Sequence, residues 1–127
     1  MMDSESLSQL VIKGMVEKKA SDIVLIDLRK TPNAIADYFI ICSGNSDTQV
    51  EAIANSIEEE TDREDTRPWH KEGTSNMEWV LLDYVDVVAH IFSHKSRNFY
   101  AIEDLWGDAV VEHIENPTDQ LFASGKR

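Results

Sequence analysis

The sequence holds one cysteine, Cys42, so no disulfide can close within the chain. That thiol sits in the apolar run Phe39-Ile40-Ile41-Cys42, where it is expected to pack as a small hydrophobe rather than act as a nucleophile. No stretch approaches the ~18 uncharged apolar residues of a membrane span. The opening MMDSESLSQL also lacks the basic region and long apolar core of a secretory signal. These absences predict a soluble protein in a reducing, cytoplasmic setting with no membrane partner. Basic residues are scarce, with 12 Lys and Arg against 24 Asp and Glu, a formal net charge of −12. Nucleic-acid binding draws most of its strength from Lys and Arg replacing counterions, so no direct sequence-specific nucleic-acid binding is expected. An acidic chain prefers a basic partner.

A catalytic signature is missing too. Local sequence supports no Ser-His-Asp or Cys-His arrangement. Of the histidines His70, His90, His94 and His113, only His90 and His94 are four apart, and the first falls in a strand while the second lies beyond its end. So placed, the two do not share one helix face as a zinc pair would. A nucleotidyltransferase needs two close carboxylates to hold Mg²⁺, usually as Asp-x-Asp beside a Gly-Ser turn. Here Asp83 and Asp86 are spaced Asp-x-x-Asp across a predicted turn, and a hairpin end decorated with acids is the plainer reading. Gly44, just before a helix start, suits a phosphate cradle built from backbone N–H groups, but Asp47 and Glu51 would repel the phosphate. The expectation is a non-enzymatic protein with no cofactor and no metal. A nucleotide-binding or nucleotidyl-transferring enzyme is one alternative, and an acidic adaptor for some other basic protein is another.

The 127 residues suit one domain with one proper core. Ser4 and Ser6 precede Leu7, Leu10, Val11 and Met15, whose spacing predicts an amphipathic helix ending near Lys18-Lys19. Gly14 weakens that helix by about 1 kcal/mol relative to Ala. Asp22 to Leu28 predicts a strand apolar on both faces, with Ile23 and Leu25 on one and Val24, Ile26 and Leu28 on the other, hence central in its sheet. Thr31-Pro32-Asn33 marks a turn. Tyr38 to Cys42 is a second buried strand, stopped by Ser43-Gly44-Asn45. Ser46 and Gln49 form a capping box for a helix carrying Val50, Ile53, Ala54 and Ile57 inward. Residues 62–77 are expected to be a connecting loop with an ordered Trp69. Glu78 to Tyr84 and Asp86 to Phe92 predict an antiparallel hairpin, although β-branched Val85 at its turn should resist a positive φ. A last helix is expected to begin between Ser93 and Ser96, to turn Phe99, Ile102, Leu105 and Trp106 inward and to extend as far as Ile114, with a frayed end after Pro117. The fold class is α/β (α+β), with a mixed sheet of about four or five strands flanked by helices. Residues 1–107 form the domain and 108–127 a C-terminal extension.

Several of these segments occur in a distinctive order: Trp79 to Tyr84 (WVLLDY), Asp86 to His90 (DVVAH), then Ser96, Arg97, Phe99, Tyr100, Leu105 and Trp106. Upstream stand Asp37-Tyr38-Phe39-Ile40-Ile41, the Ser43 to Ser46 turn with Val50 and Ala52-Ile53-Ala54, and the Glu72-Gly73 pair. Over residues 5 to 107 this order resembles the Iojap-like family, the ribosomal silencing factors. The resemblance implies a nucleotidyltransferase-like α/β fold without the transferase chemistry. It also implies a translational repressor that binds the large ribosomal subunit through ribosomal protein L14 and blocks joining of the small subunit. It puts Trp79, Asp83, Tyr84, Asp86, His90, Arg97 and Tyr100 in the partner-binding segment, and leaves a homodimer open. The chain departs from the family at Val85, where glycine is usual, and at Thr48-Gln49, where a basic residue and histidine are frequent. By residue type alone, Trp79 and Tyr100 are expected to be partly exposed, Phe99 and Trp106 core, and His90 a hydrogen-bonded structural histidine.

Overall fold

The computed structural model describes residues 2–97 and 109–114. Helix α1 spans Ser4–Glu17, and its N-cap is Asp3, whose carboxylate accepts the Ser6 N–H at 2.7 Å. Ser4 and Ser6, which precede the apolar positions, lie inside the helix. An ionised cap is the stronger acceptor at the positive end of the helix dipole, and this bond holds the Asp3 carboxyl below its ordinary range. Strand β1 (Ser21–Asp27) follows, then β2 (Tyr38–Gly44), α2 (Asp47–Asp62), β3 (His70–Glu72), β4 (Trp79–Asp83), β5 (Val87–Ser93), the short α3 (His94–Arg97) and β6 (Val110–Ile114). Among the described residues no helix is long and apolar enough to cross a membrane.

The strands of the described residues make one mixed sheet in the order β3-β4-β5-β2-β1-β6, six among the described residues where about four or five were expected. β2 and β5 run parallel, and every other neighbouring pair is antiparallel. Both additional strands lie at the edges. β3 falls in the segment expected to be loop, and its three residues are all exposed, so no alternation of apolar and polar residues announces it. β6 corrects the expected helical extension to Ile114: it pairs with β1, Ile23 against Ile114 and Ile26 against Val111. Its paired valines favour a strand, and only Ile114 is even half-buried, so periodicity gives no signal there either. β2 also runs on through Ser43 and Gly44, the residues expected to stop it.

Both long helices cover the same face of the sheet. Leu7, Val11 and Met15 of α1 and Val50, Ile53 and Ile57 of α2 pack over Ile23, Leu25, Ile40, Cys42, Val80, Leu82, Ala89 and Ile91. The helices cross at Gly14, where a Cβ would stand 2.6 Å from the Ile57 Cα, so the glycine's poor helix propensity is offset by a backbone approach no side chain permits. Gln49 ties the end of α1 to the start of α2. Its Nε2 donates to the carbonyls of Lys18 and Lys19, both at 3.2 Å, while its Oε1 accepts from Asn45 N–H and its own N–H reaches the Ser46 hydroxyl at 3.1 Å. The expected cap is thus formed, with Asn45 rather than Ser46 as the donor to the Gln49 side chain. On the opposite face Val24, Ile26, Leu28, Ala36, Phe39, Ile41, Val88 and Phe92 form a second apolar cluster, joined by Trp79 and Leu81. The two-sided apolar pattern of β1 follows from this arrangement.

Candidate partner-binding surface

The β4–β5 hairpin carries most of the segment singled out in the sequence. Trp79 pairs with Phe92, Leu81 with His90 and Asp83 with Val88, which lines these six residues along the face away from α1 and α2. The hairpin closes in three residues. Asp86 N–H donates to the Tyr84 carbonyl at 3.0 Å across Val85, which stands at φ +76°, and Tyr84 N–H donates to Val87 O at 2.8 Å. This is the rare, positive-φ form of the γ-turn. A β-branched residue there costs about 1–2 kcal/mol relative to ordinary backbone, so the expected resistance of Val85 to positive φ is overcome. Three further hydrogen bonds hold the turn: Asp83 Oδ1 accepts the Val85 N–H at 2.7 Å, and the Asp86 carbonyl accepts from Asp37 and Tyr38 N–H at 2.7 and 3.2 Å.

The seven residues expected at a partner interface occupy different environments. Tyr84 is buried on the helical face, where its hydroxyl meets Thr61 Oγ1 at 2.9 Å, and burial pushes its pKa up to about 12. Arg97 is buried beyond the far end of β5 and donates from Nη1 to Ser43 Oγ at 2.9 Å. His90 is buried too, at 3% exposure. Its Nδ1 accepts from the Trp79 indole N–H at 3.1 Å, which places the imidazole proton on Nε2. Among the described residues that buried Nε2 meets no acceptor. Burial pulls the His90 pKa down to about 4, so the ring is neutral at physiological pH, between Phe39 at 4.9 Å and Trp79 at 5.9 Å. Trp79 is half-buried with its ring stacked on Phe92 at 5.0 Å. Asp83 is half-buried and Asp86 exposed. Tyr100, like Phe99, Ile102, Leu105 and Trp106, lies outside the described residues. The fold therefore unites Trp79 with His90, sets Asp83 further along the same face, and separates Tyr84 and Arg97 from them.

The candidate chemistry has structural explanations. One oxygen of Asp83 is engaged by the turn, and among the described residues no three His, Cys, Asp or Glu side chains converge as a metal site would require. Gly44 is buried, and a Cβ there would meet Val50 Cγ2 at 2.9 Å, so this glycine lets the end of β2 close against α2. Cys42 is fully buried, and desolvation pushes its thiol well above its ordinary pKa, which removes the thiolate that reactivity needs.

Two recesses flank β4. One of about 300 Å³ is lined by Glu72, Gly73, Asn76, Glu78, Trp79 and Leu81. The other, of about 360 Å³, is lined by Ile35, Trp69, Asp83, Val85 and Val88. In the second, Ile35 is 80%, Trp69 77% and Val85 54% exposed. Trp69 was legible only as a loop tryptophan and Ile35 not at all. They come from separate connecting segments without periodicity, and only the sheet brings them together.

A family model described as ribosomal silencing factor during starvation matches residues 1–126. The ribosomal silencing factor RsfS of Bacillus subtilis is 38% identical over 90% of this chain and 96% of its own length. The chloroplastic protein Iojap of Zea mays is 34% identical over 92% of this chain, which spans 50% of that longer protein. Among solved structures, a Chromobacterium violaceum protein superposes with a TM-score of 0.79 at 29% identity, covering 94% of this chain and 99% of the other. One from Bacillus halodurans gives 0.73 at 32% identity, covering 88% and 99%. Fold, hairpin and near-complete match agree: the chain belongs to the family of ribosomal silencing factors.

Proposed function

We propose that this chain represses translation by binding the large ribosomal subunit through ribosomal protein L14 and keeping the small subunit from joining it in the cytoplasm. The observation that carries the reading is the match of nine-tenths of the chain to a protein named a ribosomal silencing factor, at 38% identity. The physical features support it. A net charge of −12 favours a basic partner through long-range attraction and complementarity. Steric exclusion needs no catalytic group, only affinity and bulk at the joining surface, and two carboxylate-edged apolar recesses beside β4 offer that affinity. Among the described residues of the predicted segment, Trp79, Asp83 and Asp86 reach the surface; Tyr84, His90 and Arg97 would act from beneath it by fixing the hairpin and its flanks.

Cosedimentation with separated ribosomal subunits tests the proposal. The chain is expected to travel with large subunits and to lower the yield of joined ribosomes when small subunits are added. Migration with the free protein pool alone would sink the idea. Nucleotide transfer by the pure protein would instead favour the enzyme alternative, and Asp83→Asn with Asp86→Asn would then be the pair to examine.

A further inference from the structure

We infer that the recess between Ile35, Trp69 and Val85 receives an arginine side chain projecting from a basic protein. This rests on the ribosomal reading above and names the chemistry by which its partner would be gripped. At about 360 Å³ the recess is near the lower end of the roughly 300–1,000 Å³ of small-ligand pockets, a size for a long side chain rather than a cofactor. Its walls suit both halves of arginine. Trp69, Ile35 and the Val85 methyls would cover the aliphatic stem, and an exposed indole is the best aromatic partner for a planar guanidinium. Asp83 supplies the charge. Val85 N–H holds its Oδ1 at 2.7 Å, which aims the carboxylate and leaves Oδ2 to accept.

Among the described residues no ion pair compensates the charge around the recess. None of the ion pairs between described residues involves Asp83, Asp86 or Asp37, whereas the neighbouring Arg67 already pairs with Asp62 at 2.7 Å and the His70 ring nitrogen Nε2 lies 3.3 Å from Glu72. Val85 adds an independent observation. Its side chain stands in solvent at φ +76°, where glycine would carry no strain. An apolar side chain at that position suits a surface to be covered, and strain of this kind concentrates at ligand clamps.

The test uses the full chain and purified large subunits at about 0.1 M salt, where surface charges still reach about 10 Å. Trp69→Ala and Asp83→Asn are each expected to weaken binding at least about tenfold, and Val85→Gly by several-fold. All three should melt at or above the parent temperature. Trp69 is exposed, the Asn amide still accepts the Val85 N–H, and glycine relaxes the turn. Parental affinity in all three variants, with the parent bound, overturns the inference while leaving the ribosomal reading intact. If the parent itself fails to bind large subunits, the ribosomal reading falls, and titration with a tri-arginine peptide decides the recess. A change in tryptophan fluorescence that vanishes in Trp69→Phe sustains the inference, and no change overturns it. Sedimentation velocity covers the other occupant, since a dimer dissolved by Trp69→Ala would assign the recess to a second copy and overturn the arginine.

Discussion

Gly73 and Val85 lie on either side of β4, and the chain demands almost the same φ of both, +79° at the first and +76° at the second. At Gly73 the residue obeys the demand. A Cβ there would overlap the carbonyl oxygen of Trp79, so the position has no alternative. At Val85 the residue defies it, with a β-branched side chain that points into solvent and adds nothing to the core. The Gly73 end of the strand is thus organised by packing, which seats Trp79 on Phe92 and over His90. At the Val85 end a local preference is overruled by hydrogen bonds from Asp83, Asp86 and β2. Where local and global preferences disagree without a gain in packing, the explanation is sought at a functional surface.

Four measurements test this contrast. Gly73→Ala should have the largest effect, a loss of roughly 3 to 5 kcal/mol in urea unfolding, because positive-φ strain combines with backbone overlap; a loss below about 1 kcal/mol would erase the distinction between the two ends. Next comes the pH dependence of the Trp79–His90 pair. His90 ionises near its ordinary 6.5 when unfolded and only at about 4 when folded. Its contribution is therefore complete above pH 6.5 and lost as pH falls towards 4, amounting to roughly 3 kcal/mol. The unfolding midpoint of the parent should fall over that window more steeply than that of His90→Phe, and equal slopes would show that the ring protonates without cost. Third, Val85→Gly should raise stability by about 1 kcal/mol, since relief of strain exceeds the entropy glycine adds to the unfolded chain. A lowered melting temperature would mean that the valine is structural. The smallest effect lies in a double-mutant cycle: Asp83→Ala should cost about 1 kcal/mol in the parent and about 0.5 kcal/mol less in the Val85→Gly background, where the turn no longer depends on its tether.

Elements with a buried face were legible in the sequence. β1, apolar on both sides, lies between β2 and β6 with an apolar cluster on each face. Ser46 caps α2, and Val50, Ile53, Ala54 and Ile57 are buried at the spacing that predicted the helix. The hairpin formed where two strands joined by so short a turn indicated it. Elements whose order comes from hydrogen bonding alone were not legible. β3 has no buried residue, and β6 presents Val110 at 67% and Val111 at 39% exposure, so neither carries the periodic signature of burial. The surface around the hairpin was legible in part. Trp79, Asp83 and Asp86 stood out by type and order, whereas Trp69 and Ile35 join Val85 only through the β3–β4 pairing and the loop before β2. The neutral tautomer of His90 could not be read at all, because it depends on an indole N–H eleven residues away in sequence.

The pairing of β6 with β1 bears on how the chain reaches its native state. Ile23 waits for Ile114, so until nearly the whole described sequence has been synthesised, β1 offers an unpaired edge whose residues Ile23 to Ile26 are all apolar. Such an edge is a template for another chain, and pairings this distant in sequence form late and slowly. Nascent chains of this protein are consequently most exposed to edge-to-edge aggregation in the interval before β6 emerges. A truncation before Val110 would make that interval permanent.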